Sequence, residues 1–286
     1  MGKIIWLASY PKSGNTWLRV FLANYRQDNG KPVSINDLEG FPIASARPMF
    51  DLAAGVEASD LTEDEIERLR PSIYDHMARE AEETIFLKVH DAYTYTSEGR
   101  PLLSESATAG AVYIIRNPLD VSVSFANHST CDIDTMITRM ADETYAFCSK
   151  PDRLHNQLLQ RLLSWSGHVK SWINAPNLRL HVMRYEDMKQ NPLETFAAAL
   201  RFCGLSDETE RVEKALACSS FDELQKQEKE QGFREKPQKV ASFFRKGEVG
   251  AWREQLTERQ IERIIADHGE VMRRFGYLDQ DGKIIF

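Results

Sequence analysis

The apolar run from Ile4 to Ala8 passes directly into Tyr10-Pro11-Lys12-Ser13-Gly14-Asn15-Thr16-Trp17, a turn punctuated by proline and glycine. A helical pattern carried by Trp17, Leu18, Phe21, Leu22 and Tyr25 follows. Strand, tight turn and helix in that order leave the first N–H groups of the helix without intrahelical partners, facing the carboxyl end of the strand. That geometry binds phosphate-like anions. The residue order excludes the Walker A loop, G-x-x-x-x-G-K-[ST], in which lysine follows the second glycine beside a hydroxyl for Mg²⁺. Here Lys12 precedes Gly14, and Asn15 stands where that lysine would be. The turn suits an anion met by Lys12, backbone N–H groups and hydroxyls, with no metal required.

Two further segments handle anions on their chemistry alone. Val112 to Ile115 reads as a buried strand ending at Arg116, with Pro118 suited to the first turn of the next helix. Ser124, about two helical turns beyond Arg116, brings a hydroxyl toward a group held by the arginine fork. In Arg245-Lys246-Gly247 two cations precede a glycine that permits close backbone approach, and Gly250 adds a second permissive joint. Singly, each of these segments fits an ordinary strand end or a solvated basic turn. Three in one chain whose net charge is −7 imply positive charge focused locally. The same acidic balance argues against a nucleic-acid binder.

The chain alternates strands near 3–9, 84–89, 111–115 and 179–183 with helices near 15–27, 118–128 and 192–203. This predicts an α/β fold with a central parallel sheet, helices on both faces and a site at the carboxyl ends of the strands. Its 286 residues, 42% of them hydrophobic, fit a single domain spanning 1–286. Thr62-Glu63-Asp64-Glu65 is a capping-box signature opening a helix through about Ala81, and Leu154 to Ile173 carries a second helical pattern in which Trp165 and Trp172 read as core. Segments 30–59, 129–151 and 225–244 read as irregular and are expected to flank an acceptor pocket. Cys131, Cys148, Cys203 and Cys218 lack metal-ligand spacing and read as thiols or small core residues. No leader pattern, no apolar run of membrane-spanning length and no myristoylation signal is evident, since position 6 is Trp6. A cytoplasmic protein without membrane partners is expected.

The loop Tyr10 to Trp17 resembles the 5′-phosphosulfate loop of sulfotransferases that use 3′-phosphoadenylyl sulfate (PAPS). Arg116-Asn117-Pro118-Leu119-Asp120-Val121-Ser122-Val123-Ser124 resembles their 3′-phosphate motif, and Arg245-Lys246-Gly247-Glu248-Val249-Gly250-Ala251-Trp252 their R-K-G-x-x-G-x-W motif. The three occur in family order across nearly the whole chain, and the resemblance implies a P-loop-like sulfotransferase domain. It also implies donor-binding roles for Lys12, Ser13, Gly14, Asn15, Thr16, Trp17, Arg116, Ser124, Arg245, Lys246 and Gly247. Trp17 resembles the adenine-stacking tryptophan, Tyr185 the tyrosine that contacts adenine, and Ser219-Ser220-Phe221 the family's T-S-F segment. Glu186 and Asp187 read instead as caps of the helix that follows.

Thr84-Ile85-Phe86-Leu87-Lys88-Val89 ends at His90, where catalytic groups of open α/β sheets collect. By pattern alone His90 fits a turn hydrogen-bonder as well as a base, and the other histidines carry no comparable context. It resembles the histidine of the family's K-T-H segment, which implies a general base drawing the proton from an acceptor hydroxyl. The implied reaction is in-line sulfuryl transfer releasing 3′,5′-adenosine bisphosphate (PAP). Lys12 would stabilise charge on the leaving oxygens, Ser124 would position Lys12, and Lys88 would stand as a second cation near the reacting centre.

Two departures from the family pattern bear on partners. Arg253, Thr257, Glu258 and Glu262 stand where cytosolic members carry the K-x-x-x-T-V-x-x-x-E dimer contact, so a monomer and a homodimer both remain open. Asp91 follows His90 in place of leucine-proline, which leaves the acceptor open among small molecules, natural products and glycans. A P-loop kinase and a catalytically idle nucleotide-binding protein are the competing classes.

Overall fold

The computed structural model describes residues 2–150 and 153–286; position 151, the last of the segment 129–151, lies outside them. In chain order the elements are β1 (Ile4–Ser9), α1 (Asn15–Gln27), α2 (Arg47–Ala54), α3 (Glu63–Glu80), β2 (Ile85–Val89), β3 (Thr108–Ile115), α4 (Pro118–Ser129) and α5 (Ile133–Ala141). There follow β4 (Ala146–Phe147), β5 (Gln160–Arg161), α6 (Trp165–Ile173), β6 (Leu180–Arg184), α7 (Tyr185–Gln190), α8 (Pro192–Phe202), α9 (Thr209–Cys218), α10 (Phe221–Gln231) and α11 (Glu258–Arg274). They divide between two compact units. One holds the chain through Tyr10, Gly40–Tyr113 and Asp142–Val182; the other holds Pro11–Glu39, Ile114–Ala141 and Met183–Phe286.

The first unit is organised on a central parallel sheet of four strands in the order β2-β1-β3-β6; β3 and β6 begin in this unit and end in the other. β1 pairs in parallel with β2, from Ile4 opposite Ile85 to Ala8 opposite Val89. Every residue of β1 is buried, which is why its sequence is a continuous apolar run rather than an alternation. Residues 42–44 run beside the end of β2, where Lys88 N–H donates to the Pro42 carbonyl and Ala44 N–H to the Lys88 carbonyl. α3 begins at the expected capping box: the Thr62 hydroxyl accepts from Glu65 N–H, and Glu65 accepts from Thr62 N–H. Its Ile66 and Ile73 pack with Phe50 of α2 and with Leu158.

The helical pattern expected over 154–173 is helical only from Trp165. Leu163 adopts φ +60°, and the Ser164 hydroxyl caps the new helix by accepting from Gly167 N–H. The stretch before it is extended, with Leu158 N–H donating to the Ser45 carbonyl and β5 pairing antiparallel with β4. Trp165 and Trp172 are core residues, as expected. The segments 30–59, 129–151 and 225–244 are not wholly irregular, since they contain α2, α5 with β4, and much of α10.

In the second unit α1 packs against α9, and α11 lies on α4 and α5. Val20, Ile35, Leu38, Leu224, Phe233 and Phe244 form a buried cluster that ties α1 and α10 to the chain on either side of Arg234. The stretch matched to the dimer motif, from Arg253 to Glu262, runs into the start of α11, where Thr257 and Gln260 form a second capping box. All four cysteines are thiols. Among the described residues no helix is long and apolar enough to cross a membrane.

Candidate active site

The phosphate loop belongs to the second unit from Pro11 onward. Lys12 adopts φ +67°, an uncommon conformation for a residue with a side chain, and Gly14 adopts φ +113° as the residue preceding α1. A Cβ at Gly14 would lie 2.8 Å from the Tyr185 ring. No side chain caps α1, and no acidic residue occupies its first turn. The first turn of α1 thus brings no carboxylate of its own to compete with an incoming anion.

Arg116 closes this loop from the end of β3. One terminal nitrogen donates to the Lys12 carbonyl at 3.2 Å and the other to the Glu248 carbonyl at 3.0 Å, while the guanidinium carbon sits 4.3 Å from the centroid of the Tyr185 ring. Tyr185 in turn donates its hydroxyl to the Gly247 carbonyl at 2.9 Å. Burial raises the Tyr185 phenol above its ordinary value, so it acts as a neutral donor. Gly247 adopts φ +59°, and a Cβ there would run into the ring of Phe221. Thus Lys12, Gly14, Arg116, Tyr185, Phe221 and Gly247 form one connected arrangement.

Lys12, Ser124, Asn127, His128, Phe243 and Arg245 line a narrow cavity, with the Lys12 ammonium 3.6 Å from the centroid of Phe243. Ser124 thus shares a wall with Lys12. Lys246 is turned elsewhere and donates to Glu254 at 2.8 Å. The Ser219 hydroxyl donates to the Ala215 carbonyl at the end of α9, and Ser220 caps α10. Asn15 and Thr16 are buried in the first turn of α1. Trp17 meets Tyr185 and Phe196 edge-on, and the Lys189 ammonium lies 5.6 Å from its ring and 5.5 Å from that of Phe221. Among the described residues, the Ser13 hydroxyl, the Trp17 indole N–H and the Arg116 Nε are buried without a hydrogen-bond partner. Buried polar groups of this kind are normally satisfied, and three of them lie around one loop, which suits a polar ligand.

In the first unit His90 follows β2 and is half-buried. Its Nδ1 lies 2.8 Å from the Ser9 carbonyl oxygen and 3.4 Å from the Ser9 hydroxyl. A carbonyl only accepts, so Nδ1 carries a proton and donates to it. The backbone around His90 is held on several sides. His168 donates from Nε2 to the His90 carbonyl at 3.1 Å and accepts from the Tyr113 hydroxyl at Nδ1, 2.8 Å away. Burial pushes His168 down to about 3, which keeps it neutral. Asp91, buried beside His90, receives both terminal nitrogens of Arg70 at 2.8 and 3.2 Å, and its carbonyl accepts from the Trp172 indole. Lys88 is half-buried in β2 of the same unit.

Several contributors were not visible as functional residues in the sequence. Glu186 does not cap the helix that follows, since α8 has no side-chain cap; it accepts from Asn117 N–H at 3.0 Å, at the entrance of α4, and from the Tyr277 hydroxyl at 3.0 Å. Asp187 pairs with Arg184. Asp120 accepts from Gly250 N–H and Trp252 N–H, holding the chain just beyond Arg245-Lys246-Gly247. His168, Arg70, Phe243 and Glu228 likewise carried no motif signal, because their partners are distant in sequence.

A sulfotransferase domain model matches residues 3–276. The chain belongs to the sulfotransferase domain family. This sulfotransferase is 24% identical over 273 residues to a flavonol 3-sulfotransferase from Flaveria bidentis, a match covering 91% of this chain and 78% of that protein. It is 27% identical over 272 residues to cytosolic sulfotransferase 13 from Arabidopsis thaliana, covering 90% and 73%. Its fold is similar to a solved structure of retinol dehydratase in complex with androsterone and inactive cofactor PAP, at a TM-score of 0.63, 18% identity, and coverage of 95% of this chain and 81% of that one. These relationships establish for the sulfotransferase the fold class expected from its strand and helix order.

Proposed function

We propose that this protein transfers the sulfuryl group of PAPS to an acceptor hydroxyl and releases PAP. The observation that carries the reading is the Lys12–Gly14 loop. It is stitched to Arg116 and leaves the Ser13 hydroxyl, Trp17 N–H and Arg116 Nε buried and unpartnered among the described residues. The PAP named with the solved relative and the family membership support the same donor. When bound, PAPS supplies an activated sulfuryl group on a phosphate leaving group. Lys12, Ser13, the N-terminal N–H groups of α1, Arg116 and Ser124 are the residues assigned to its charged groups, with Trp17, Tyr185, Ser219 and Phe221 assigned to its base. Arg245, Lys246 and Gly247 complete the set, and no metal is assigned a part.

The reading gives donor binding to the Lys12–Gly14 loop with Arg116, and proton removal to His90. His90 Nε2 accepts the proton of the acceptor hydroxyl as its oxygen bonds to sulfur and the sulfur–oxygen bond to phosphate breaks. Charge on the departing oxygen is met by Lys12, with Lys88 as a second cation. The acceptor is a small molecule, natural product or glycan. The cytosolic relative supports a cytoplasmic location, and the match over 3–276 supports reading 1–286 as one sulfotransferase domain. Monomer and homodimer are both compatible with this chemistry.

Calorimetry with PAP, matched against ATP plus Mg²⁺, tests the donor, and transfer of labelled sulfate to a panel of phenols and sugars then tests the reaction. Binding of PAP that is lost in Arg116→Ala supports the reading. A response to Mg-ATP alone would replace it with a kinase.

A further inference from the structure

The donor assignment depends on a piece of chain that has little regular structure of its own. Between α10 and α11 the backbone presents Phe243 under the Lys12 ammonium, the Gly247 carbonyl to the Tyr185 hydroxyl, and the Glu248 carbonyl to Arg116. The stretch from Phe243 to Glu248 contains the Arg245-Lys246-Gly247 motif. Its position therefore decides where three donor-binding side chains sit.

Glu228, on α10, is what holds the start of this piece. Only 8% exposed, it accepts from Phe243 N–H at 2.7 Å on one carboxylate oxygen. The other oxygen accepts from Phe244 N–H at 2.9 Å and from the Ser242 hydroxyl at 3.1 Å. The Lys236 ammonium stands 3.9 Å from the first oxygen. A buried carboxylate is costly unless its lone pairs are engaged and its charge is countered. Here every one of those partners comes from residues 236–244. The charge of Glu228 is thus balanced by the segment it organises.

The attachment of α10 to the rest of the unit is a separate matter. Gln227, its neighbour, accepts from Ile35 N–H and donates to the Val33 carbonyl, while Leu224 packs in the apolar cluster with Val20 and Phe233. These contacts do not involve the Glu228 carboxylate, so its charge is not needed to dock the helix.

We infer that Glu228 is a positioning residue for the donor site: its carboxylate fixes Phe243 and Phe244, and through them the backbone that Lys12, Tyr185 and Arg116 contact. The inference rests on the donor reading above. Replacing the carboxylate by an amide leaves one oxygen to accept and turns an NH₂ toward a backbone N–H, so one of the two adjacent N–H groups loses its partner.

The test compares PAP affinity by calorimetry and amide hydrogen exchange in the wild type, Glu228→Gln, Glu228→Asp and Ser242→Ala. Glu228→Gln is expected to bind PAP about ten-fold or more weakly, with faster exchange at Phe243 and Phe244 and unchanged exchange across α4. Glu228→Asp, which keeps the charge, should recover part of the affinity. Ser242→Ala, which removes a single hydrogen bond, should weaken PAP in the same direction by a smaller factor, and it keeps the test open if Glu228→Gln does not fold. Faster exchange at Phe243 and Phe244 with unchanged PAP affinity would overturn the inference and leave Glu228 a purely structural residue. A wild type that fails to bind PAP would instead overturn the donor reading, and this inference with it.

Discussion

The Nδ1 of His90 lies 2.8 Å from the carbonyl oxygen of Ser9, so the ring of the proposed base is oriented by the backbone at the end of β1. Because the partner is main chain, the tautomer does not depend on the Ser9 side chain, whose hydroxyl is 3.4 Å away. His90→Ala should lower kcat by about 10²–10⁴-fold with PAP affinity unchanged. Ser9→Ala should stay within about three-fold of wild type, since the carbonyl that receives the proton survives. Steady-state turnover and PAP calorimetry on both variants check the pair. A large loss in Ser9→Ala would mean that the hydroxyl, not the carbonyl, sets the tautomer.

Arg116 uses both terminal nitrogens on backbone carbonyls and lays its flat face 4.3 Å from the Tyr185 ring. Lysine carries the charge but has neither the fork nor the face. Arg116→Lys is therefore expected to bind PAP nearly as poorly as Arg116→Ala, each at least about ten-fold weaker than wild type. If lysine restored binding, Arg116 would be acting as a point charge, and the stitching of Lys12 to Glu248 would be incidental.

The legible part of this protein was the part written in contiguous residues. β1, the Lys12–Gly14 turn and α1 follow one another without interruption, so the hydrophobic period and the turn chemistry placed all three. Thr62 and Glu65 are three residues apart, and the capping box they spell is present. The helix expected over 154–173 failed in its first half because a periodic pattern does not reveal Leu163 at φ +60° or pairing with residues near Ser45. The same limit hid Glu186, which serves Asn117 rather than the helix that follows it, and Asp120, which serves Gly250 and Trp252. A carboxylate that caps a distant backbone has no sequence signature, because its partner is chosen by the fold.

Gly14 combines φ +113° with a Tyr185 ring 2.8 Å from where a Cβ would stand. Gly14→Ala is expected to destabilise the protein by about 1–3 kcal/mol, since it meets both backbone strain and a clash with a ring that Arg116 and Gly247 hold in place. Gly14→Ala with Tyr185→Ala removes the clash and leaves the strain. Measured against Tyr185→Ala alone in urea unfolding, the glycine substitution should then cost less than it does in wild type. Equal costs in the two backgrounds would show that the ring yields freely.

His168 is fully buried, donates to the His90 carbonyl and accepts from Tyr113, and is pushed from 6.5 down to about 3. In the unfolded chain it takes a proton below about pH 6.5, whereas the folded protein binds none until about pH 3. The unfolded state therefore holds more protons throughout that window, and stability falls as pH falls through it, by at most about 1.4 kcal/mol per pH unit from this group. His268, pushed down to about 4 by burial, adds a slope of the same sign over a narrower window. His168→Gln retains a donor and an acceptor but does not titrate. Urea unfolding between about pH 7 and pH 4.5 should give a shallower decline for this variant than for wild type, with the residual slope from His268 still present. Parallel stability curves for the two proteins would mean that His168 is protonated in the fold, and that the neutral contact holding the His90 carbonyl is not the one described.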